Sequence, residues 1–311
     1  MDEKTLYDVI ILGAGPAGLS AAIYAGRSRL NTLLIEQGED GGQIILTHEI
    51  ENYPGQMPQG EPGLELVARM SEQAARFGAV RVRDRVTAVS AAGDVKSVTC
   101  EKGTYEGRTL ILALGAYPRA IGCAGEMDFA GKGISYCATC DGNFFTGLDV
   151  YVAGGGDTAV QEALYLTRFA RKVTIVHRRD ELRAVKSLQE KAFANEKIAF
   201  LWDSVVEEAG GSGLLSRIKV RNVKTGEVTE IEAAEGFMGL FGFIGYVPRS
   251  ELLEGQVATE DGYILTDEEM RTSVPGVFAA GDIRKKTLRQ VITAAADGAT
   301  AAISAERYLD D

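Results

Sequence analysis

With 311 residues, 45% of them hydrophobic, the chain is long enough for more than one ordinary domain, each with a buried core. A formal net charge of −11 and the lack of a basic arm argue against nucleic acid as a partner, because binding it begins with phosphate neutralisation. No uninterrupted apolar run of about eighteen residues is present, and Met1–Lys4 leads into a strand without a charged-then-apolar leader, so no membrane association and a cytoplasmic setting are expected.

The run Tyr7-Asp8-Val9-Ile10-Ile11-Leu12 has the character of a buried parallel strand. Gly13, Ala14, Gly15, Pro16, Ala17 and Gly18 follow, then a small-residue helix from Leu19 to Ala25. Glycines at this spacing permit a tight turn and a close backbone approach to a pyrophosphate, which would rest on the helix N-terminus. A second strand, Asn31 to Ile35, ends in Glu36, where a dinucleotide site places the acid that binds a ribose hydroxyl. Gly41-Gly42-Gln43 and Glu51-Asn52-Tyr53-Pro54-Gly55 read by themselves as polar loop, and His48 as an ordinary polar residue within it. Residues 62–78 have helical spacing, with Leu64, Leu66, Val67, Met70 and Ala74 on one side. Alternating stretches from Val80 to Cys100 and the run Thr109–Leu114 predict further strands. Gly115 and Pro118 punctuate the chain there and set a first domain boundary.

Ser135-Tyr136-Cys137-Ala138-Thr139-Cys140-Asp141 comes next. The spacing lets the sulfurs of Cys137 and Cys140 bridge, so that one attacks a disulfide and the other resolves it, and an acid follows at once. The structural alternative for such a pair is half of a zinc site, which needs two further ligands. Cys100 and Cys123 lack the paired spacing and read as packing residues, so no metal is expected.

A second strand-turn-helix begins at Asp149–Ala153 and continues through Gly154, Gly155, Gly156, Asp157, Thr158 and Ala159 into a helix reaching Phe169. Its following strand, Lys172–Val176, ends not in an acid but in His177-Arg178-Arg179, with Arg183 just beyond. Guanidinium groups match a ribose 2′-phosphate where an acid would take a 2′-hydroxyl, so this site is built for NADPH rather than NADH. Residues 217–235 read as a surface hairpin turning at Lys224–Glu227, and Phe237–Val247 as the return crossing between domains. The run Thr272–Ala280 then predicts a strand stopping at Gly281 and Asp282. Arg289, Gln290 and a small-residue helix close the chain. The repeated plan suggests an ancient duplication with the second copy inserted in the first.

Taken together, these motifs resemble the low-molecular-weight thioredoxin reductases, and the resemblance covers essentially the whole chain. It implies an α/β fold of two Rossmann-like three-layer (ββα) nucleotide-binding domains. Residues 1–117 with 244–311 would form a discontinuous FAD domain, and 118–243 an NADPH domain carrying the Cys-x-x-Cys pair. Gly13, Gly15 and Gly18, Gly42, Gln43 and Asn52, and Gly281, Asp282, Arg289 and Gln290 match the family's FAD contacts. Cys140 would face the flavin and take its electrons. Cys137 would attack the disulfide of thioredoxin, and Asp141 would protonate the departing thiolate. The family further implies a homodimer and a rotation of the NADPH domain, for which the glycine-bearing crossings are suited. The chain departs from the family pattern at Leu114 in an expected Ala-Thr-Gly, at Arg249 where Asn is usual, and at Gln161 where an acid is common. Within this architecture, ferredoxin-linked reductases and small-dithiol oxidases lack the arginines kept here, and flavin-dependent ferredoxin–NADP reductases lack the dithiol. A non-catalytic flavin-binding redox sensor would have no use for Asp141.

Overall fold

The computed structural model describes residues 5–46, 50, 52–57 and 60–311, apart from the side chains of Leu46 and Cys140. His48, Glu51, Met1–Lys4 and the Cys140 side chain therefore lie outside the described residues. The chain divides into two compact units, residues 1–117 with 247–311, and 118–246.

In the first unit the parallel strands Val80–Arg83, Thr32–Glu36, Leu6–Leu12 and Thr104–Leu112 lie side by side. Val277–Ala279 also pairs in parallel with Thr104–Leu112, so the C-terminal segment returns to the same sheet. Lys96–Cys100 and Val86–Ser90 extend it as an antiparallel arm. Alternation sorts the side chains: Val9 and Ile11 point to a helical layer, whereas Ile10 and Leu12 point to a layer including Val98 of the arm, Leu253 and Ile264.

The helical layer is made by Pro16–Arg27, Gly63–Arg76 and Val291–Asp310. The first and last of these approach so closely that a Cβ on Gly298 would run into the Ala17 carbonyl oxygen. Alanine, glycine and serine fill both contact faces for that reason, and Ser20 Oγ donates to the Ala295 carbonyl at 2.7 Å.

The second unit repeats the plan. Ile198–Leu201, Lys172–Val176, Asp149–Gly154, Gly239–Phe243 and Ile134–Ser135 form one parallel sheet. Helices Asp157–Leu166 and Lys186–Phe193 cover one face, and the antiparallel meander Ser204–Gly210, Arg217–Asn222, Val228–Glu232 covers the other. The 217–235 hairpin is thus the outer part of that meander.

The second crossing falls at 246/247 rather than 243/244. The apolar run from Phe237 begins as an inner strand, with Leu240 and Phe241 fully buried, and stays within the unit through Gly245. No helix among the described residues is long and apolar enough to cross a membrane.

Candidate active site

In the first unit the chain leaves the strand Leu6–Leu12 through Gly13, whose φ of +100° is left-handed. A Cβ on Gly18, one helical turn on, would collide with the Gly13 carbonyl oxygen, so the turn and helix close against each other only with glycine there. Pro16 opens the helix, where its missing N–H costs nothing. The backbone at Gly15 stays open: the nearest atom a Cβ there would meet is the Gly41 carbonyl oxygen at 3.8 Å. Gly41 N donates to the Ala14 carbonyl at 2.7 Å, and a Cβ on Gly42 would lie 3.7 Å from Gly15 Cα, so Gly42 borders the same turn and Gln43 follows it in the short helix Gly42–Leu46.

Glu36 stands at the end of its strand with one carboxylate oxygen accepting from Ala14 N at 3.0 Å and the other from Gly38 N at 3.1 Å. Each oxygen keeps a free lone pair. Glu36 lines a cavity of about 230 Å³ with Gly13, Asp84, Leu114, Tyr117 and Arg249. Two departures from the family pattern, Leu114 and Arg249, therefore sit in this wall, and the Arg249 guanidinium lies 5.7 Å from the Tyr117 ring centre.

Asp282 follows the strand Val277–Ala279 and is held beside the Pro16–Arg27 helix by Gly281, whose Cβ would meet that of Ala17 at 2.8 Å. Asp282 Oδ1 is buried without a hydrogen-bond partner, and burial raises the acid's pKa, opposed by Lys286 and Arg289. A buried, unpaired carboxylate oxygen requires a donor. The ribityl hydroxyls of a flavin supply one, so the residues present fit that group. Arg289 lies over the Tyr263 ring at 4.1 Å with its Nε also unpaired. Asn52 Nδ2 donates to Gln290 Oε1 at 3.1 Å, bringing two expected contact residues together.

Asp297, which no motif in the sequence marks, fixes this turn. Asp297 Oδ2 accepts from Gly281 N at 3.0 Å and from Lys286 Nζ at 2.8 Å, while Oδ1 accepts from Arg284 at 2.9 Å. The sequence offers only that Asp297 is the one charge among Ala294, Ala295, Ala296 and Gly298; that its face packs inward is seen in the structure alone.

In the second unit Gly154–Ala159, His177, Arg178 and Arg183 all line one cavity of about 660 Å³, joined by Arg119. Gly156 caps the helix Asp157–Leu166 and faces open space. Arg183 N donates to the Gly155 carbonyl and Val185 N to Asp157 Oδ1, both at 2.7 Å, so the arginine loop is stitched to the glycine turn. Arg179 is exposed and is not part of that wall. His177 is buried with its ring against Gly155, and burial, then the charge of Arg179, lower its pKa. It is therefore neutral at pH 7 and shapes the cavity without adding charge.

The redox segment begins where the edge strand Ile134–Ser135 pairs with Leu240 and Phe241. Cys137 N donates to Ser135 Oγ at 3.1 Å and Asp141 N to the Cys137 carbonyl at 3.2 Å, which sets Asp141 one turn from Cys137 in the short helix Ala138–Asp141. Cys137 is disulfide-bonded. Cys100 and Cys123 are free and buried, and burial pushes both thiols up to about 11, so they stay unreactive at neutral pH.

Two glycine turns and a disulfide segment in one chain are the parts of a flavin-linked disulfide enzyme, and the family match agrees. Residues 7–298 match the model of the pyridine nucleotide-disulphide oxidoreductases. The chain belongs to that family. It is 53% identical over 310 residues to a thioredoxin reductase of Peptoclostridium acidaminophilum, covering 99% of this chain and 98% of the relative. Against the thioredoxin reductase of Bacillus subtilis it is 46% identical over 313 residues, covering 100% of this chain and 97% of that one. The crystal structure of the Lactococcus lactis thioredoxin reductase in its FR conformation superposes with a TM-score of 0.81 at 45% identity, covering 98% of this chain and 99% of that one. The protein is thus an oxidoreductase of the low-molecular-weight thioredoxin reductase family, using a flavin and a pyridine nucleotide.

Proposed function

We propose that the protein carries two electrons from NADPH through FAD and the Cys137–Cys140 pair to the disulfide of thioredoxin. The observation that carries this reading is the single cavity in which Arg178 and Arg183 meet the Gly154–Ala159 turn, in the same folded unit as the Cys137 disulfide. Guanidinium groups and an open helix N-terminus are what a 2′-phosphate and a pyrophosphate require. The same cavity opposes a ferredoxin-linked reading, which has no use for a phosphate clamp.

In this account the first unit, through Gly13–Gly18, Glu36 and Asp282, holds FAD. Gly42, Gln43, Asn52, Arg289 and Gln290 lie on the loops that would border it. Bound FAD supplies the two-electron link between a nicotinamide and a disulfide. The second unit, residues 118–246, holds NADPH by Gly154, Gly156, Asp157, Thr158 and Ala159 at the pyrophosphate and by Arg178 and Arg183 at the 2′-phosphate, with the exposed Arg179 outside the cavity wall contributing less. The neutral His177 walls the site. Once the pair is reduced, Cys137 as thiolate attacks one sulfur of thioredoxin, Cys140 resolves the mixed disulfide, and Asp141 supplies a proton to the departing thiolate. The same reading makes the working form a cytoplasmic homodimer.

The test is NADPH-driven appearance of thiols in oxidised thioredoxin. The wild-type protein should produce two per NADPH consumed, and Cys137→Ser none. Thiol production by Cys137→Ser would overturn the reading.

A further inference from the structure

Cys137 Sγ and the Thr139 hydroxyl lie 3.3 Å apart, within one turn of the redox segment. Because Cys137 is disulfide-bonded, its sulfur has no proton to give, so the hydroxyl is the donor. A hydroxyl already aimed at a neutral disulfide sulfur meets a far stronger acceptor once that sulfur becomes a thiolate, since hydrogen bonds to charged groups are about twice as strong as neutral ones.

We propose that Thr139 is a positioning residue for Cys137, its hydroxyl holding the sulfur as a thiolate after the disulfide opens. The proposal rests on the reading of Cys137 as the thiol that attacks the protein substrate. Two electrons, from NADPH by way of the flavin, break the S–S bond and leave two thiolates. One proton from solvent then leaves the pair as one thiol and one thiolate. The Thr139 hydrogen bond places the negative charge on Cys137 and the proton on Cys140. The charged sulfur forms a bond to one sulfur of the partner disulfide, whose other sulfur leaves with the bonding electrons.

Charged groups of both signs stand on the elements around the sulfur. Asp141 stands on its own segment, and the helix Asp157–Leu166 packed against that segment contributes Asp157 and Glu162. Asp157 is taken up by the Val185 N–H. Glu162 shares a cavity of about 520 Å³ with Thr139, Tyr165, Arg168 and Lys191, and burial pushes its acid up to about 7. The acids oppose a thiolate, and Arg168 and Lys191 favour one. Replacing the Thr139 hydroxyl leaves all of them in place, so the difference between Thr and Val isolates the hydroxyl.

The experiment is alkylation of Cys137 by iodoacetamide across pH in reduced Cys140→Ser protein, read at the Cys137 peptide by mass spectrometry. Cys100 and Cys123, buried with thiols near 11, do not compete at neutral pH. Thr139→Val should raise the apparent thiol pKa by roughly half to one unit and slow alkylation at pH 7 about three- to tenfold. Thr139→Ser, which keeps the hydroxyl, should restore the parent profile. A Val profile that superposes on the parent, or a Ser profile as displaced as that of Val, would overturn the proposal. The readout needs neither nucleotide nor thioredoxin, so its failure is separable from failure of the proposed function.

Discussion

Asn52 and Gln290, 238 positions apart, share a hydrogen bond of 3.1 Å from Nδ2 to Oε1. Gln290 also caps the last helix: its side chain accepts from the Thr293 backbone while Thr293 Oγ1 accepts from Gln290 N at 3.1 Å. One amide therefore ties a loop near the first glycine turn to the helix that packs on Ala17.

Gln290→Ala should lose both functions. The cap is worth about 1 kcal/mol and the exposed Asn52 bond about as much again at most. Thermal unfolding should fall by a few degrees, and flavin should dissociate about three- to tenfold faster, followed by the rise in free-flavin fluorescence. Asn52→Ala should show the flavin effect with a smaller loss of stability.

Arg183→Ala should act on one coenzyme only. A charge-assisted hydrogen bond contributes about 1.5–3 kcal/mol, so the ratio of kcat/KM for NADPH over NADH should drop about ten- to a hundredfold, nearly all of it in NADPH. Arg178, in the same wall, should behave alike. Arg179, exposed outside it, should matter less. Equal losses for all three arginines would contradict a 2′-phosphate seated in this cavity.

Glu162 links site and stability. Burial lifts its acid from 4.5 to about 7, so the folded state holds a proton that the unfolded state releases between those values. A raised acid favours the folded state fully below pH 4.5, and its contribution is lost as pH rises to 7. That loss amounts to roughly 3 kcal/mol at the upper limit. Glu162→Gln should remove the decline, flattening the denaturation midpoint between pH 5 and 7.

The helix contact at Gly298 leaves no room for a side chain, because a Cβ there meets the backbone of Ala17 and Ala21. Gly298→Val should cost about 1–3 kcal/mol or more by overpacking and should displace the Gly13–Gly18 turn, seen as weaker flavin retention. Ala296→Val, at an exposed position of the same helix, serves as the control.

Much of this arrangement was legible in the chain itself. Alternation in Val9–Leu12 and the glycine spacing that follows leave few options for a strand feeding a helix, and the arginines after Val176 are the charge pattern on which the proposed NADPH site rests. What was not legible depended on distant pairing. The run from Phe237 reads as a crossing because apolar residues and glycines alone do not say whether they pair with a strand 89 positions earlier, as Gly239 does with Val150. Asp297 looks like a surface charge on a small-residue helix until Gly281, Arg284 and Lys286 come round to it. Long-range polar partners leave no local period to read.

The most direct test is an anaerobic titration of the oxidised protein with NADPH or NADH, following flavin absorbance, with oxidised thioredoxin added afterwards. Rapid bleaching by NADPH, slow bleaching by NADH and recovery of the colour with thioredoxin are the predicted results, the recovery being absent in Cys137→Ser. A flavin that NADPH leaves coloured would contradict the account, because the arginine-lined cavity would then not be where its electrons enter.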